Sequence, residues 1–483
     1  MSQSRPNILL VVTDQLVPFV TGPYGHPVVR TPALDALAGT AVRYDAAYTP
    51  YPLCAPARAA FMTGKYASSF GCYDNAAPLP VDQPTLAHYL TLAGYETVLS
   101  GKMHFVGPDQ LHGYRHRLTT DIYPAQMDWV PLEEDGKFVA GGHAHGYVPP
   151  KVGPVPWTKF LSYDEEVQYR AVDWLRERGR VGSDEPFFLT VSYHHPHDPF
   201  LVTQELWDLY EGAEIEVPGW PDDLDDRYSA MDRWANEAHA TDEVPALDDP
   251  EALRALRRSY YGLVTYVDRK LGELVETLER SGLREDTLVL FTSDHGDMLA
   301  EKRMVQKRTF YEWSARVPLL VELPDRRARA VAEPVSLLDL LPTLLDLAGF
   351  PEEERLPVDG RSLLGEPAPF VLSEYHVEKV RAPCFMARKG RWKYVLVHGH
   401  GEQLFDLEAD PGEWESLAGR PEVREVQEEL RGLVLAQFDP EAIDADGRES
   451  VRRRDLVRRA MARNGTTWDY APPYDAGAPR YVR

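Results

Sequence analysis

The chain has 483 residues, 43% hydrophobic and 27% charged, with 34 Gly and 40 Pro, a folded and turn-rich composition rather than a disordered or collagenous one. Lys and Arg number 52 and Asp and Glu 76, a net charge of −24, which argues against nucleic acid and an anionic membrane as partners. A small anionic substrate in a local basic pocket stays open. The length exceeds one ordinary domain. Three cysteines, Cys54, Cys72 and Cys384, make no disulfide framework and point to a reducing, cytoplasmic compartment. The first apolar run ends at Asp14, too short for a secretory signal, and no run is long enough to span a membrane.

In chain order, Asn7 to Thr13 (NILLVVT) is apolar and partly β-branched, which predicts a buried, central, parallel strand. Pro32 to Ala41 predicts a short helix. Ala55 to Thr63, stopped by Gly64, predicts another. Leu86 to Ala93 reads as helix and Glu96 to Leu99 as strand. The Gly-, Pro- and His-rich stretch from Leu111 to Pro156 reads as an insertion near the site. Asp164 to Arg178 has helical spacing and Pro186 to Tyr193 reads as a buried strand. A long helix over Ala252 to Leu278 precedes a strand over Asp286 to Ser293, and Leu319 to Leu323 and Val335 to Ala348 continue the rhythm. This alternation predicts a large, doubly wound, mostly parallel α/β sheet flanked by helices over residues 1–360. From about Leu363 short strands predict a smaller C-terminal α+β domain over 361–440. An extended tail over 441–483, charged and then aromatic, predicts an oligomer contact.

Polar clusters follow the strand ends, where sites of such folds gather. Asp14 closes the first strand, and Asp294, His295 and Asp297 follow another in SDHGD. Carboxylates with one imidazole suit a divalent cation, Ca²⁺, Mg²⁺ or Mn²⁺. Cys54 stands just before a predicted helix, whose start offers free N–H groups to an anionic ester, and Arg58 follows one turn on. Cys54 also reads as a small buried hydrophobe. A plain thiolate beside a hard cation is an odd pair, so with a metal present Cys54 is not used as cysteine. Lys102 and His104 in SGKMHF, His194, His195 and His197 in YHHPHDPF, and Lys307 follow strand ends too. They could surround a tetrahedral anion and protonate a leaving alcohol.

The run Cys54-Ala55-Pro56-Ala57-Arg58, then Thr63-Gly64, resembles the C-x-P-x-R signature of the type I sulfatases, members of the alkaline-phosphatase-like superfamily. Asp14, the signature, Lys102, SDHG and Lys307 occur in that family's order. The resemblance implies that Cys54 is oxidised to formylglycine (3-oxoalanine) by a formylglycine-generating enzyme and that its hydrate attacks sulfur. It implies that Asp14, Asp294, His295 and the modified Cys54 hold one divalent cation, Ca²⁺ first among them. Relatives often carry two aspartates where this chain has Asp14-Gln15, so Gln15 is either an amide ligand or marks a shell with one charge fewer. By resemblance Arg58 anchors the hydrate, Lys102, His104, His197 and Lys307 surround the sulfate, and His195 is a weaker contact. His197 or Lys307 would be the general acid, and His104 the base that re-forms the aldehyde.

Within the family the chain looks most like the choline-sulfatases, through GCYDNAA at Gly71 to Ala77, LTTDIYP at Leu118 to Pro124, HPHDP, SDHGDML, SARVP and Trp468-Asp469-Tyr470. This implies hydrolysis of choline sulfate, with Trp129 and Asp469 at the trimethylammonium group. It also implies a homo-oligomer, dimer or tetramer, whose tail reaches a neighbouring site. Residues 130–156 and Glu374 to Arg381 depart from that pattern, which leaves the alcohol half of the substrate open. The alternatives are another alkyl or aryl sulfate, or a phosphonate monoester or phosphodiester.

Overall fold

The first strand, Asn7–Asp14, feeds two interiors at once. Ile8, Leu10 and Val12 enter one buried cluster, and Leu9 and Val11 enter another, because successive strand residues point to opposite faces. A strand covered on both sides reads as an unbroken apolar run. The computed structural model describes residues 5–127, 151–366 and 368–469, with the backbone of Glu133–Glu134 and Lys137–Phe138.

Asn7–Asp14 lies inside an eight-stranded sheet. The order is Arg329–Val331, Ala41–Tyr44, Leu319–Glu322, Thr287–Ser293, Asn7–Asp14, Phe187–Pro196, Glu96–Gly101, His116–Arg117. The central strands run parallel, with Leu10 opposite Leu290 on one side and Thr190 on the other, and Leu319–Glu322 runs antiparallel. On one face pack the helices Cys54–Thr63 and Leu340–Leu347, through Phe61, Met62, Leu341 and Leu344. On the other pack Lys159–Val181 and Pro250–Arg280, through Leu161, Val167, Leu263 and Val267. This three-layer arrangement is the doubly wound α/β fold expected. Among the described residues no helix is long and apolar enough to cross a membrane.

The helix expected over Pro32 to Ala41 ends at Ala38, and Ala41–Tyr44 is a strand. Its Val42 and Arg43 pair with Val321 and Leu320, a long-range pairing that local spacing does not reveal. Val335 to Ala348 divides into a short strand, Val335–Ser336, and the helix Leu340–Leu347. Of the 111–156 stretch, Val152–Pro154 pairs with Phe200–Val202, while Trp129 lies outside the described residues.

The C-terminal region holds a four-stranded antiparallel sheet, Val371–Tyr375, Cys384–Lys389, Trp392–Val397 and Gly401–Asp406, with the helix Arg424–Gln437. Beyond it, where the sequence suggests an extended tail, Pro440–Asn464 forms a 25-residue helix. Its ends are well specified. Asp439 accepts N–H bonds from Glu441 and Ala442, Pro440 occupies the first turn, and Gly465 closes the helix in the left-handed region. Its charge on nearly every face hides it from hydrophobic periodicity. The helix packs back on the body of the protein. A Cβ at Gly447 would stand 2.8 Å from Val377 Cγ2, and Arg454 Nη1 donates to buried Asp74 at 2.8 Å. Replacing Arg454 by Ala strands a buried carboxylate. Urea denaturation is expected to show a loss of about 3–5 kcal/mol; a loss below about 1 kcal/mol would mean that Asp74 is stabilised by other groups.

Candidate active site

Three neighbouring parallel strands deliver the polar residues of the site. Asn7–Asp14 ends in Asp14, Thr287–Ser293 runs into Asp294 and His295, and Phe187–Pro196 into His197 and Asp198. The adjacent strand turns at Gly101, φ +113°, where a Cβ would lie 1.9 Å from the Ser192 carbonyl oxygen. Only glycine permits that approach, and it lets Lys102 N–H bond the same carbonyl at 2.9 Å.

From the opposite side comes the wholly buried helix Cys54–Thr63, with Cys54 as its first residue. Asn75 Oδ1 accepts from Ala55 N–H at 3.0 Å and fixes its first turn. One turn on, Arg58 Nε donates to Asp294 Oδ2 at 2.8 Å. Its Nη1 donates to Ser192 Oγ at 2.8 Å and to the Lys102 carbonyl at 2.5 Å, and its Nη2 stands 3.6 Å from Asp14 Oδ2. Lys102 Nζ also donates to Asp14 Oδ2.

Ligand atoms of Asp14, Cys54, Asp294 and His295 lie within 4.8 Å of one another, all buried. His295 Nδ1 is 2.9 Å from the Gly296 carbonyl, which turns Nε2 inward, 3.2 Å from Cys54 Sγ and 3.6 Å from Asp14 Oδ1. Burial holds His295 well below its ordinary pKa, so the ring is neutral and its Nε2 lone pair is open to a cation. Burial alone would raise Asp294, but Arg58, His295, Lys102 and Lys307 outweigh it and keep the carboxylate ionised. Two carboxylates and an imidazole fit a hard divalent cation. The fourth donor does not fit as it stands, because burial pushes the Cys54 thiol up to about 11 despite Lys307 and Arg58. A neutral thiol is a poor partner for such an ion; an oxygen at position 54 would complete the set.

A second group of donors faces this quartet. Lys307 Nζ donates to Gln15 Oε1 and lies 2.9 Å from His197 Nε2. Gln15 Nε2 donates to Asp297 Oδ2. The Gln15 amide is thus placed between Lys307 and Asp297, its oxygen turned to the lysine and its backbone N–H to Asp294 Oδ1 at 3.2 Å. His197 Nδ1 is 2.9 Å from the Asp198 carbonyl, which leaves Nε2 as the acceptor toward Lys307. Burial, then Lys307 and Lys102, hold His197 well below its ordinary pKa. Lys102 Nζ lies 4.3 Å from the Tyr123 ring centroid, and the His104 ring packs on the same tyrosine at 4.8 Å. Burial pulls Lys102 down to about 7 and His104 to about 3.

Two of the expected substrate contacts have hydrogen-bond partners within the chain. His195 Nδ1 bonds Asp164 Oδ2 at 2.6 Å and its ring meets Tyr266 edge-on. Asp469 Oδ1 accepts from Ala125 N–H of its own chain at 3.4 Å, beside Thr467, whose Oγ1 accepts from Gln126 Nε2. Several residues escaped the sequence reading. Asp121 Oδ2 accepts from the N–H groups of Met103 and His104 and so sets the Lys102 loop. Arg308 Nη2 pairs with Glu378 Oε1 at 2.7 Å. Only the adjacency of Arg308 to Lys307 could have flagged it.

The sulfatase family profile matches residues 6–350, and that of the N-sulphoglucosamine sulphohydrolase C-terminal region matches 300–438. The chain belongs to the sulfatase family and is a sulfuric ester hydrolase. It is 43% identical over 503 aligned residues to the choline-sulfatase of Rhizobium meliloti (strain 1021), covering 100% of this chain and 96% of that one. It is 28% identical to arylsulfatase K of Bos taurus, over 89% and 82% of the two chains. Among solved structures, the phosphonate monoester hydrolase of Agrobacterium radiobacter superposes with a TM-score of 0.71 at 24% identity, over 90% and 95% of the chains, a likeness of fold.

Cys54, Cys72 and Cys384 are all buried, with thiols raised chiefly by desolvation. Protein made without the modification at Cys54 is expected to resist iodoacetamide at pH 8 at all three positions until it is unfolded. Peptide mass mapping reads this directly, and rapid alkylation of Cys54 in the folded state would contradict the burial and the raised thiol.

Proposed function

We propose that this sulfatase hydrolyses the sulfate ester of a small alcohol, choline sulfate first among them, with formylglycine at position 54 and one divalent cation, Ca²⁺ in the first instance. The observation that carries the reading is the buried quartet of Asp14, Cys54, Asp294 and His295, faced by Lys102, Lys307 and His197. Choline is supported by the identity to the choline-sulfatase and by the resemblance that places Trp129 and Asp469 at a quaternary ammonium group. Asp14, Asp294, His295 and formylglycine at position 54 would hold the cation, which would polarise the sulfate, while the formylglycine would supply the nucleophilic hydroxyl.

The chain's own groups then have separable tasks. Arg58 holds Asp14 and Asp294 in register and fixes the first turn of the helix that carries position 54. Lys102 and Lys307 donate to sulfate oxygens and offset charge that grows in the transition state. The alcohol leaves with a proton from Lys307. His197 accepts from Lys307 through Nε2, so the lysine is the proton carrier and the imidazole orients it. His104, neutral through burial, takes the proton of the second hydroxyl as the aldehyde re-forms.

A formylglycine-generating enzyme is the maturation partner in this reading, the compartment is the cytoplasm, and the protein is a homo-oligomer, a dimer or tetramer. Exposed Leu435, Leu456 and Val457 on the C-terminal helices support the last point; light scattering that finds only monomer would remove it.

Cys54→Ala is expected to lose at least about a thousandfold in kcat with an unchanged circular dichroism spectrum; near-normal turnover would end the covalent route. Wild-type kcat/KM on choline sulfate should exceed that on an aryl sulfate and on a phosphonate monoester; a higher value on the aryl sulfate would favour that alcohol class, and a higher value on the phosphonate monoester the phosphonate reading. Added Ca²⁺ should raise the melting temperature of the wild type, by the equivalent of about 2.7 kcal/mol at a hundredfold excess over Kd. The shift should vanish in Asp294→Asn.

A further inference from the structure

Lys379 is 2% exposed, and its Nζ has no hydrogen-bond partner among the described residues. A bare ammonium in the interior is costly unless a ligand meets it. Lys379 lies on the turn after the strand Val371–Tyr375, in the left-handed region at φ 58°. The turn is tied to both flanks of Cys54. His376 N–H donates to Tyr51 Oη at 2.7 Å, and that hydroxyl donates back to the His376 carbonyl at 2.9 Å. On the other flank Glu378 Oε2 accepts from Asn75 N–H at 3.2 Å, and Asn75 holds Ala55.

Among the charges that act on Lys379 are those of Arg308, Glu378, Lys307 and Asp198. Both carboxylates are already engaged. Glu378 accepts from Arg308 and Asn75, and Asp198 Oδ1 accepts from Gln306 Nε2 at 3.2 Å and Gln15 Nε2 at 3.5 Å. Neither carboxylate is a hydrogen-bond partner of Lys379 Nζ. Lys307 and Asp198 also belong to the candidate site, which places Lys379 beside it. Burial, with Arg308 and Lys307, pulls Lys379 down to about 6; an incoming anion would restore its charge.

We propose that Lys379 forms an anion-accepting subsite beside the sulfate site, and that the enzyme also hydrolyses sulfate esters whose alcohol carries a carboxylate. This rests on the sulfate-ester reading. The bond cleaved and the proton donated are unchanged; only the group at the far end of the alcohol differs.

The test uses the mature protein, wild type and Lys379→Met, with Lys379→Arg as the conservative variant. Two sulfate esters are compared, that of 3-hydroxypropanoate and that of choline. The ratio of their kcat/KM values is expected to fall at least about tenfold in Lys379→Met and to recover in Lys379→Arg. Calorimetry with 3-hydroxypropanoate alone should show at least about tenfold weaker binding to Lys379→Met. An unchanged ratio together with unchanged affinity overturns the subsite. If the wild type turns over neither ester, the sulfate-ester reading fails, and the calorimetric comparison still decides Lys379.

Discussion

The Arg58 guanidinium is the interaction on which the rest of the site depends. Asp14 and Asp294 come from adjacent parallel strands, and both are fully buried. Two carboxylates this close in a dry interior repel each other and each loses its hydration. Arg58 lies against both and adds Ser192 Oγ and the Lys102 carbonyl. Its planar fork is what allows four partners in fixed directions, and a lysine could not replace it. Because Arg58 is one turn from Cys54, the same contacts set where position 54 points. The candidate cation site and the placement of position 54 are thus one geometric event.

Gln15 shows how the neighbouring charge is tuned. It stands in the left-handed region at φ 69°, directly after Asp14. Its neutral amide reads Lys307 with the oxygen and Asp297 with the nitrogen. A second carboxylate there would draw Lys307 into an ion pair; the amide orders the lysine without one.

Much of this was visible in the sequence, for a physical reason. Strands buried on both faces leave unbroken apolar runs, so Asp14 and the SDHGD segment stood out as polar breaks at their ends. Cys54 and Arg58 are close in the chain, and one helical turn is enough to relate them. The quartet that could hold a cation was legible in the same way. The residues that escaped are held by contacts between remote segments. Asp164 fixes His195 from a helix 31 residues earlier, and Glu378 reaches Arg308 and Asn75 from the C-terminal region. Such pairings have no period and no motif. HHPH offers three similar imidazoles, and spacing alone does not tell which of them meets Asp164 and which meets Lys307. The helix Pro440–Asn464 was hidden by its own charge.

That helix carries a consequence for the order of events during synthesis. Arg454 closes on Asp74 across 380 residues of chain, and Gly447 seats Val377 of the turn tied to Tyr51 and Asn75. The covering over Cys54 is therefore braced by a segment that leaves the ribosome long after the cysteine does. On the proposed reading, an enzyme that oxidises Cys54 would meet it most readily before that segment arrives, so slower translation between the two segments would raise the fraction of modified protein without altering a single residue.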